Sequence, residues 1–259
     1  MREWSGDASF SVHRLYEQHR RNGLPPHNVG ACKSGNKKDT PVSHLQKRTV
    51  AGYCVEPMKM NFDMLNRSLH TLGYTQNITL TKAAASMSGG LAWMPFGWTG
   101  QGNQQIQLNT NIYNHQGGEE VRVISLDEYI RDDPFLQTHT IDWLSIDTEG
   151  HDARVLFGGV NAFRHRKITA LEFEYHEIGP WKQTNLSQAI VFLSLHGLDC
   201  YWELNDGRVI PLTQCWHERY DAEKRWSNLM CGLRGSVLSR MLEELANELF
   251  GNWKETSPS

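Results

Sequence analysis

The chain has 259 residues, 39% hydrophobic and 21% charged, enough apolar side chain for a core and against global disorder. At roughly 150 residues per domain, the length fits one large domain or two small ones. With 26 Lys plus Arg against 29 Asp plus Glu, the net charge of −3 argues against a generic nucleic-acid binder, but not against a local basic patch.

Residues 1–27 are polar and basic, and read as an N-terminal extension: a short helix over about 9–21, then a breaker cluster, RRNGLPPH. The run NVGACKSGNKKDTP is rich in Gly, Lys and Asn, and VSHLQKR reads as the end of a short helix. TVAGYCVEP is a predicted strand stopped by Pro57. In MNFDMLNRSLHTLGY, Phe62, Leu65, Leu69 and Leu72 recur at helical spacing, and Gly73 is a C-cap candidate. NITLTKAAAS is the next strand, followed by a Gly/Asn/Gln-rich hairpin and loop. Trp93, Phe96 and Trp98 in that loop suit either packing or cover for an apolar substrate. VRVISLDEYI holds a strand and a helix start with Ser125 as N-cap. IDWLSID is a strand, TEGHDARVLFGGVNAFRHR a helix with Gly158 and Gly159 near its middle or end, and ITALEFEYH a strand. LSQAIVFLSLHG is a helix ending at Gly197, LDCYWELNDGRVIPLT a hairpin turning at Asp206-Gly207, and SNLMCGLR a final strand. Residues 236–259 are a helix and tail. Leu238, Met241, Leu242, Leu245 and Leu249 share one face of that helix. Packing against the domain is the plainer use for this face, and a homodimer interface the sharper one.

This order of elements favours an α/β layered fold with a mostly parallel sheet. The five cysteines, Cys32, Cys54, Cys200, Cys215 and Cys231, are odd in number, widely spaced and never form CxxC. A disulfide framework or a cysteine zinc site is therefore not expected. The first residues, MREWSGDASF, lack the apolar core of a signal peptide, and the longest apolar stretch, 189–195, is too short to span a bilayer. The expectation is a cytoplasmic protein without a membrane span. Sequons at Asn66, Asn77 and Asn185 carry no weight without a signal.

In open α/β sheets, ligands bind at the carboxyl ends of the strands. Three predicted strands end in acids. One ends at Glu56, one at Asp147, Glu149 and Asp152, and one carries Glu172, Glu174 and His176 on a single face. Glu56 has the placement of an acid that accepts hydrogen bonds from ribose hydroxyls. In the crowded turn IDTEGHD, Asp147, Glu149 and His151 suit proton transfer, metal binding or hydroxyl anchoring, whereas Asp152 suits the start of a helix. The Gly30 loop is the candidate glycine turn.

At these residues the chain resembles the FkbM-type S-adenosylmethionine-dependent methyltransferases, over about 28–234. The resemblance rests on blocks in order: CVEP, TLTKAAASMSGG, VRVISLDEYI, IDWLSIDTEGHDARVLFGG and ITALEFEYH. It implies a Rossmann-like seven-stranded class I methyltransferase sheet with a C-terminal antiparallel hairpin, filling 28–235. It also implies that S-adenosyl-L-methionine lies over the strand ends. Glu56 would then sit on its ribose, Gly30 and Ala31 on its amino-acid part, and Ala84 and Ala85 near its adenine. Asp147 and Glu149 would face the methyl group or the acceptor. The first functional reading is methyl transfer to a hydroxyl of a small molecule or sugar, with His151, Glu174 and His176 as candidate bases and Glu149 and Glu174 on the acceptor side. No metal and no nucleic acid are implied.

The glycine turn departs from the family pattern. Asn28 stands in place of an acid, Cys32 in place of Asn, Gly35 is displaced by one residue, and the preceding first strand is nearly absent. A second reading follows, in which the domain binds a ligand without turnover. A metal-dependent enzyme using Asp147, Glu149 and His151 ranks third, because their spacing matches no recognised site.

Overall fold

Three sheets make up the described structure, a computed structural model covering residues 51–95, 107–108 and 118–250. The arrangement is mixed α/β, as expected. The seven-stranded continuous sheet is not seen among the described residues: their strands fall into sheets of two, five and four.

The two-stranded sheet pairs β1 (Gly52–Val55) with β2 (Ile78–Thr81) in parallel. A parallel pair needs a crossover, and α1 (Lys59–Leu72) supplies it. Phe62, Leu65 and Leu69 on α1 are partly buried, as their spacing predicts. Gly73 ends α1 in the left-handed region at φ 75°, with its N–H on the carbonyl of His70 and the Tyr74 N–H on that of Leu69.

The predicted strand NITLTKAAAS is split. Its second half forms β3 (Ala84–Ser86), which joins a different sheet, ordered β3-β6-β4-β5. There β4 (Gly90–Pro95) lies antiparallel between β5 (Gln107–Leu108) and β6 (Gly118–Ser125). A small core of Met58, Ala84, Ala92, Met94, Val121 and Val123 sits on this sheet. Ser125 then opens α2 (Leu126–Asp132) as predicted. Its hydroxyl accepts the Glu128 N–H at 3.2 Å, and the Glu128 carboxylate accepts the Ser125 N–H at 2.9 Å, a reciprocal capping box. Asp133 caps the short helix α3 (Pro134–Thr138).

The five-stranded sheet runs β10-β9-β11-β8-β7. Its strands are β7 (Leu144–Ile146), β8 (Ala170–Tyr175), β9 (Leu198–Glu203), β10 (Val209–Pro211) and β11 (Ser227–Leu233). β7 and β8 are parallel, whereas β11 runs antiparallel to both β8 and β9. The helix predicted after β7 is two helices, α4 (Asp152–Phe157) and α5 (Val160–Arg164). Gly158 and Gly159 break it for a packing reason. A Cβ at Gly158 would collide with the Ser86 carbonyl, and one at Gly159 would come within 2.7 Å of Leu126. α6 (Leu186–Leu195) leads into β9, and the short helix α7 (Arg219–Ala222) precedes β11. The main core includes Leu156, Phe163, Leu171, Phe173, Tyr175, Trp181, Leu193 and Leu198.

α8 (Val237–Phe250) packs on β9, β10 and β11, with Leu242 and Ala246 fully buried. Part of its apolar face is therefore covered by the chain's own sheet. No helix among the described residues is long and apolar enough to cross a membrane.

One cysteine expectation needs correction. Cys200 and Cys231 face each other on β9 and β11 with Cα atoms 4.1 Å apart and form a disulfide. Their separation of 31 residues gives no sequence cue; strand register alone makes them neighbours. Among the described residues it is a single bond and not a framework, and Cys54 and Cys215 stay free of disulfides. Disulfides are more usual in oxidising compartments, so this bond does not favour the cytoplasmic expectation.

Candidate active site at the strand ends

Because β7 and β8 are parallel with Ile146 opposite Phe173, the residues after each strand emerge side by side. Asp147 leaves β7 into solvent. Glu149 follows with φ 52°, a left-handed backbone rare for a residue with a Cβ. Gly150 comes next at φ 96°, and its backbone abuts the Ile178 carbonyl so closely that no Cβ would fit. On the other side of this contact Gly179, at φ 59°, lies against the Glu149 carbonyl. The turn after β7 and the loop after β8 are thus locked together by two glycines. That contact holds Glu149 at a fixed position over the sheet.

Asp152, fully buried at the start of α4, fastens the same region. It accepts the backbone N–H of Glu174 and the Thr148 hydroxyl, each at 3.3 Å. Burial, and secondly the charges of Glu174 and Asp147, push its carboxyl up to about 7 against these hydrogen bonds. Glu149 is likewise pushed up to about 7, by burial first and then by Asp147 and Glu174. Its Oε2 is buried with no hydrogen-bond partner.

On β8, Glu174 accepts the Trp226 indole N–H at 3.0 Å. Burial and the Asp147 charge raise its carboxyl, and the indole bond opposes them. His176 is buried, and its ring lies 4.6 Å from that of Trp226. The Ile178 N–H donates to His176 Nδ1 at 3.1 Å, so the neutral ring carries its proton on Nε2, 3.7 Å from Glu174 Oε2. Burial holds His176 below its ordinary value, which keeps it neutral.

Glu56 ends β1 half-buried. Its Oε1 accepts the Met58 N–H at 2.7 Å, and Asn61 also donates to the carboxylate. Burial raises its pKa, and the Asp147 charge adds to the rise. The Asp147 charge thus acts on Glu56, Glu149, Asp152, Glu174 and His176 alike.

The site therefore brings together Glu56, Asp147, Glu149, Glu174 and His176. Ala84 and Ala85 lie on β3, where Ala84 fills the small core and Ala85 packs on the main one. Gly30, Ala31, Phe96 and Trp98 lie outside the described residues. Among the described residues, no group of three or more His, Cys, Asp or Glu is placed to hold a metal ion.

Two side chains that support this region are not marked by the sequence. Trp226 precedes β11 with no local pattern to mark it. Asp127, visible as half of a Leu-Asp pair, accepts the Asn161 and Ala162 N–H groups at 2.9 Å and so caps α5 from α2.

The model of the methyltransferase FkbM domain matches residues 28–200. No curated protein and no solved structure matches the chain. The matched span begins before β1 and runs through β7, β8 and the acidic turn between them, and it covers well over half of the chain. With that coverage and this cluster of carboxylates at the strand ends, the chain belongs to the FkbM methyltransferase domain family.

Proposed function

We propose that this methyltransferase uses S-adenosyl-L-methionine to methylate a hydroxyl group on a small molecule or sugar, at the carboxyl ends of β1, β7 and β8. The observation that carries the reading is the acidic turn itself: parallel β7 and β8 bring Glu149, with a buried oxygen that has no partner, beside the end of β8 that carries Glu174 and buried His176. The residues fit the cofactor. Glu56 is a half-buried, pre-oriented carboxylate with lone pairs to spare for two ribose hydroxyls. Glu149, within the acidic turn, keeps a buried oxygen without a partner. By the family resemblance, Gly30 and Ala31 hold the amino-acid part and Ala84 and Ala85 lie toward the adenine. In this reading the two-stranded and five-stranded sheets are parts of one Rossmann-like sheet.

When bound, the cofactor supplies an electrophilic methyl group on a sulfonium sulfur. The protein must then align the acceptor oxygen with that methyl, mainly a matter of orientation, and receive the hydroxyl proton. Glu149 is the base in this reading, because its pKa of about 7 matches neutral operation. The Trp226 indole donates to Glu174 and positions its carboxylate on the acceptor side, while neutral His176 lies beside it, its buried Nε2 3.7 Å away and without a hydrogen-bond partner.

Calorimetric titration with S-adenosylmethionine and S-adenosylhomocysteine tests the proposal. Micromolar binding of both is expected. A folded, monodisperse sample that binds neither would instead support the non-catalytic reading suggested by the altered turn at 28–35.

A further inference from the structure

At the far end of the five-stranded sheet, away from the acidic site, lies a cationic cleft of about 450 Å³. It is lined by Arg164, Arg166, Leu195, His196, Gly197 and Arg234. β8 separates the two sites. Its first residue, Ala170, lies on the cleft side and its last, Tyr175, on the acidic side, and six residues of strand span about 20 Å.

Helix C-termini attract cations, and α5 and α6 both end here. That explains Arg234, which is fully engaged. It donates to Asp199 at 2.9 Å, to the Ser194 carbonyl at 3.2 Å and to the Ser194 hydroxyl at 2.9 Å. It does not explain Arg164 and Arg166, whose side chains have no hydrogen-bond or ion-pair partner among the described residues. No carboxylate lines the cleft to balance them.

Arg166 carries a second signal. It sits at φ 52°, with its N–H on the Phe163 carbonyl and the Lys167 N–H on that of Ala162. This is the helix-ending geometry that α1 makes with Gly73. A glycine would adopt it freely, yet here the chain places an arginine, at a backbone cost a glycine would not incur. The conformation brings the Arg166 guanidinium within reach of Gly197 across the cleft. His196 spends Nδ1 on the Phe192 carbonyl at 2.7 Å, which fixes its ring at the cleft wall.

We infer that this cleft is a binding site for a phosphate group, separate from the methyl-transfer site. Two unpaired guanidiniums, with a third held rigidly beside them, are suited to forked recognition of phosphate oxygens. The same chemistry is offered by a soluble phosphoester and by an anionic lipid headgroup, and the exposed Leu195 on the rim suits either.

The test is calorimetry of the full chain with inorganic pyrophosphate, alongside sedimentation with phosphatidylcholine vesicles with and without phosphatidic acid. The variants are Arg166→Gly, Arg164→Ala, and Arg122→Ala on β6 as a control. Saturable binding of pyrophosphate is expected, weakened roughly tenfold or more by each cleft variant and unchanged by the control. Arg166→Gly suits the left-handed backbone, so its melting temperature should hold or rise, and a loss of binding there is not a loss of fold. Capture by phosphatidic acid vesicles alone, lost in the same two variants, also supports the site and assigns its phosphate to a lipid. Binding to neither probe, or equal binding by the cleft variants and wild type, overturns the inference.

Discussion

Glu56, after β1, and Glu149, after β7, each give a separable prediction. Replacing Glu56 by Ala should weaken S-adenosylmethionine binding by roughly 1–3 kcal/mol, the scale of a lost charge-assisted hydrogen bond. Unchanged affinity in a folded variant would remove Glu56 from the cofactor site. Glu149 must be ionised to accept a proton, and its carboxyl titrates at about 7. Turnover should therefore rise with pH through about 7 and level off above it. Glu149→Gln should cost on the order of 10²-fold or more in kcat and abolish that rising limb. A pH–rate profile with the limb intact in the variant would assign the base elsewhere. These two acids were legible in the sequence because each follows a predicted strand. Trp226 was not, since its bond to Glu174 depends on β11 returning beside β8.

Among the elements, the break between α4 and α5 shows how two packing contacts divide one predicted helix. Asp127 reaches from α2 to cap the first N–H groups of α5, while Gly158 lets the end of α4 touch β3. Asp127→Ala should destabilise the fold by about 1–2 kcal/mol, the scale of a lost N-cap, read as a lower urea midpoint with an unchanged slope. A variant as stable as wild type would show that the cap is idle. Most elements follow their sequence signals closely. Ser125 followed by Glu128 begins a helix, Gly73 ends one, and the alternation in ALEFEYH sets buried Leu171, Phe173 and Tyr175 against half-buried Glu172 and Glu174. Two elements differ because tertiary contacts decide them. NITLTKAAAS splits between two sheets, and the long predicted helix after β7 breaks where Ser86 and Leu126 leave no room for side chains.

For the whole molecule, the acidic turn sets a pH dependence of stability. Asp152 rises from an ordinary 3.8 to about 7 on folding, so the folded state binds the proton more tightly. The stability this contributes is full below about pH 4 and is lost as pH rises through about 7, with Glu149 adding to the same trend. Asp152→Asn should flatten the slope of unfolding free energy between those limits in urea titrations at several pH values. An unaltered slope would place the linkage in other groups. The Cys200–Cys231 bond closes a separation of 31 residues inside the core. Reduction, or replacement of both cysteines by Ala, should lower stability by about 2–4 kcal/mol, seen as a lower melting temperature. Equal melting curves would mean that the two thiols serve as well as the bond.

By itself the sequence determined most of the segments that are helix or strand, and that acids stand at the ends of three strands. Those properties follow from side-chain periodicity, capping chemistry and glycine conformation within a few residues of one another. The tertiary structure decided which strands are neighbours. From that pairing come the indole on Glu174 and the disulfide between β9 and β11, and from the wider packing come the field of Asp147 and the arginines left unpaired between two helix ends. These depend on distances between residues tens of positions apart, which local pattern does not encode.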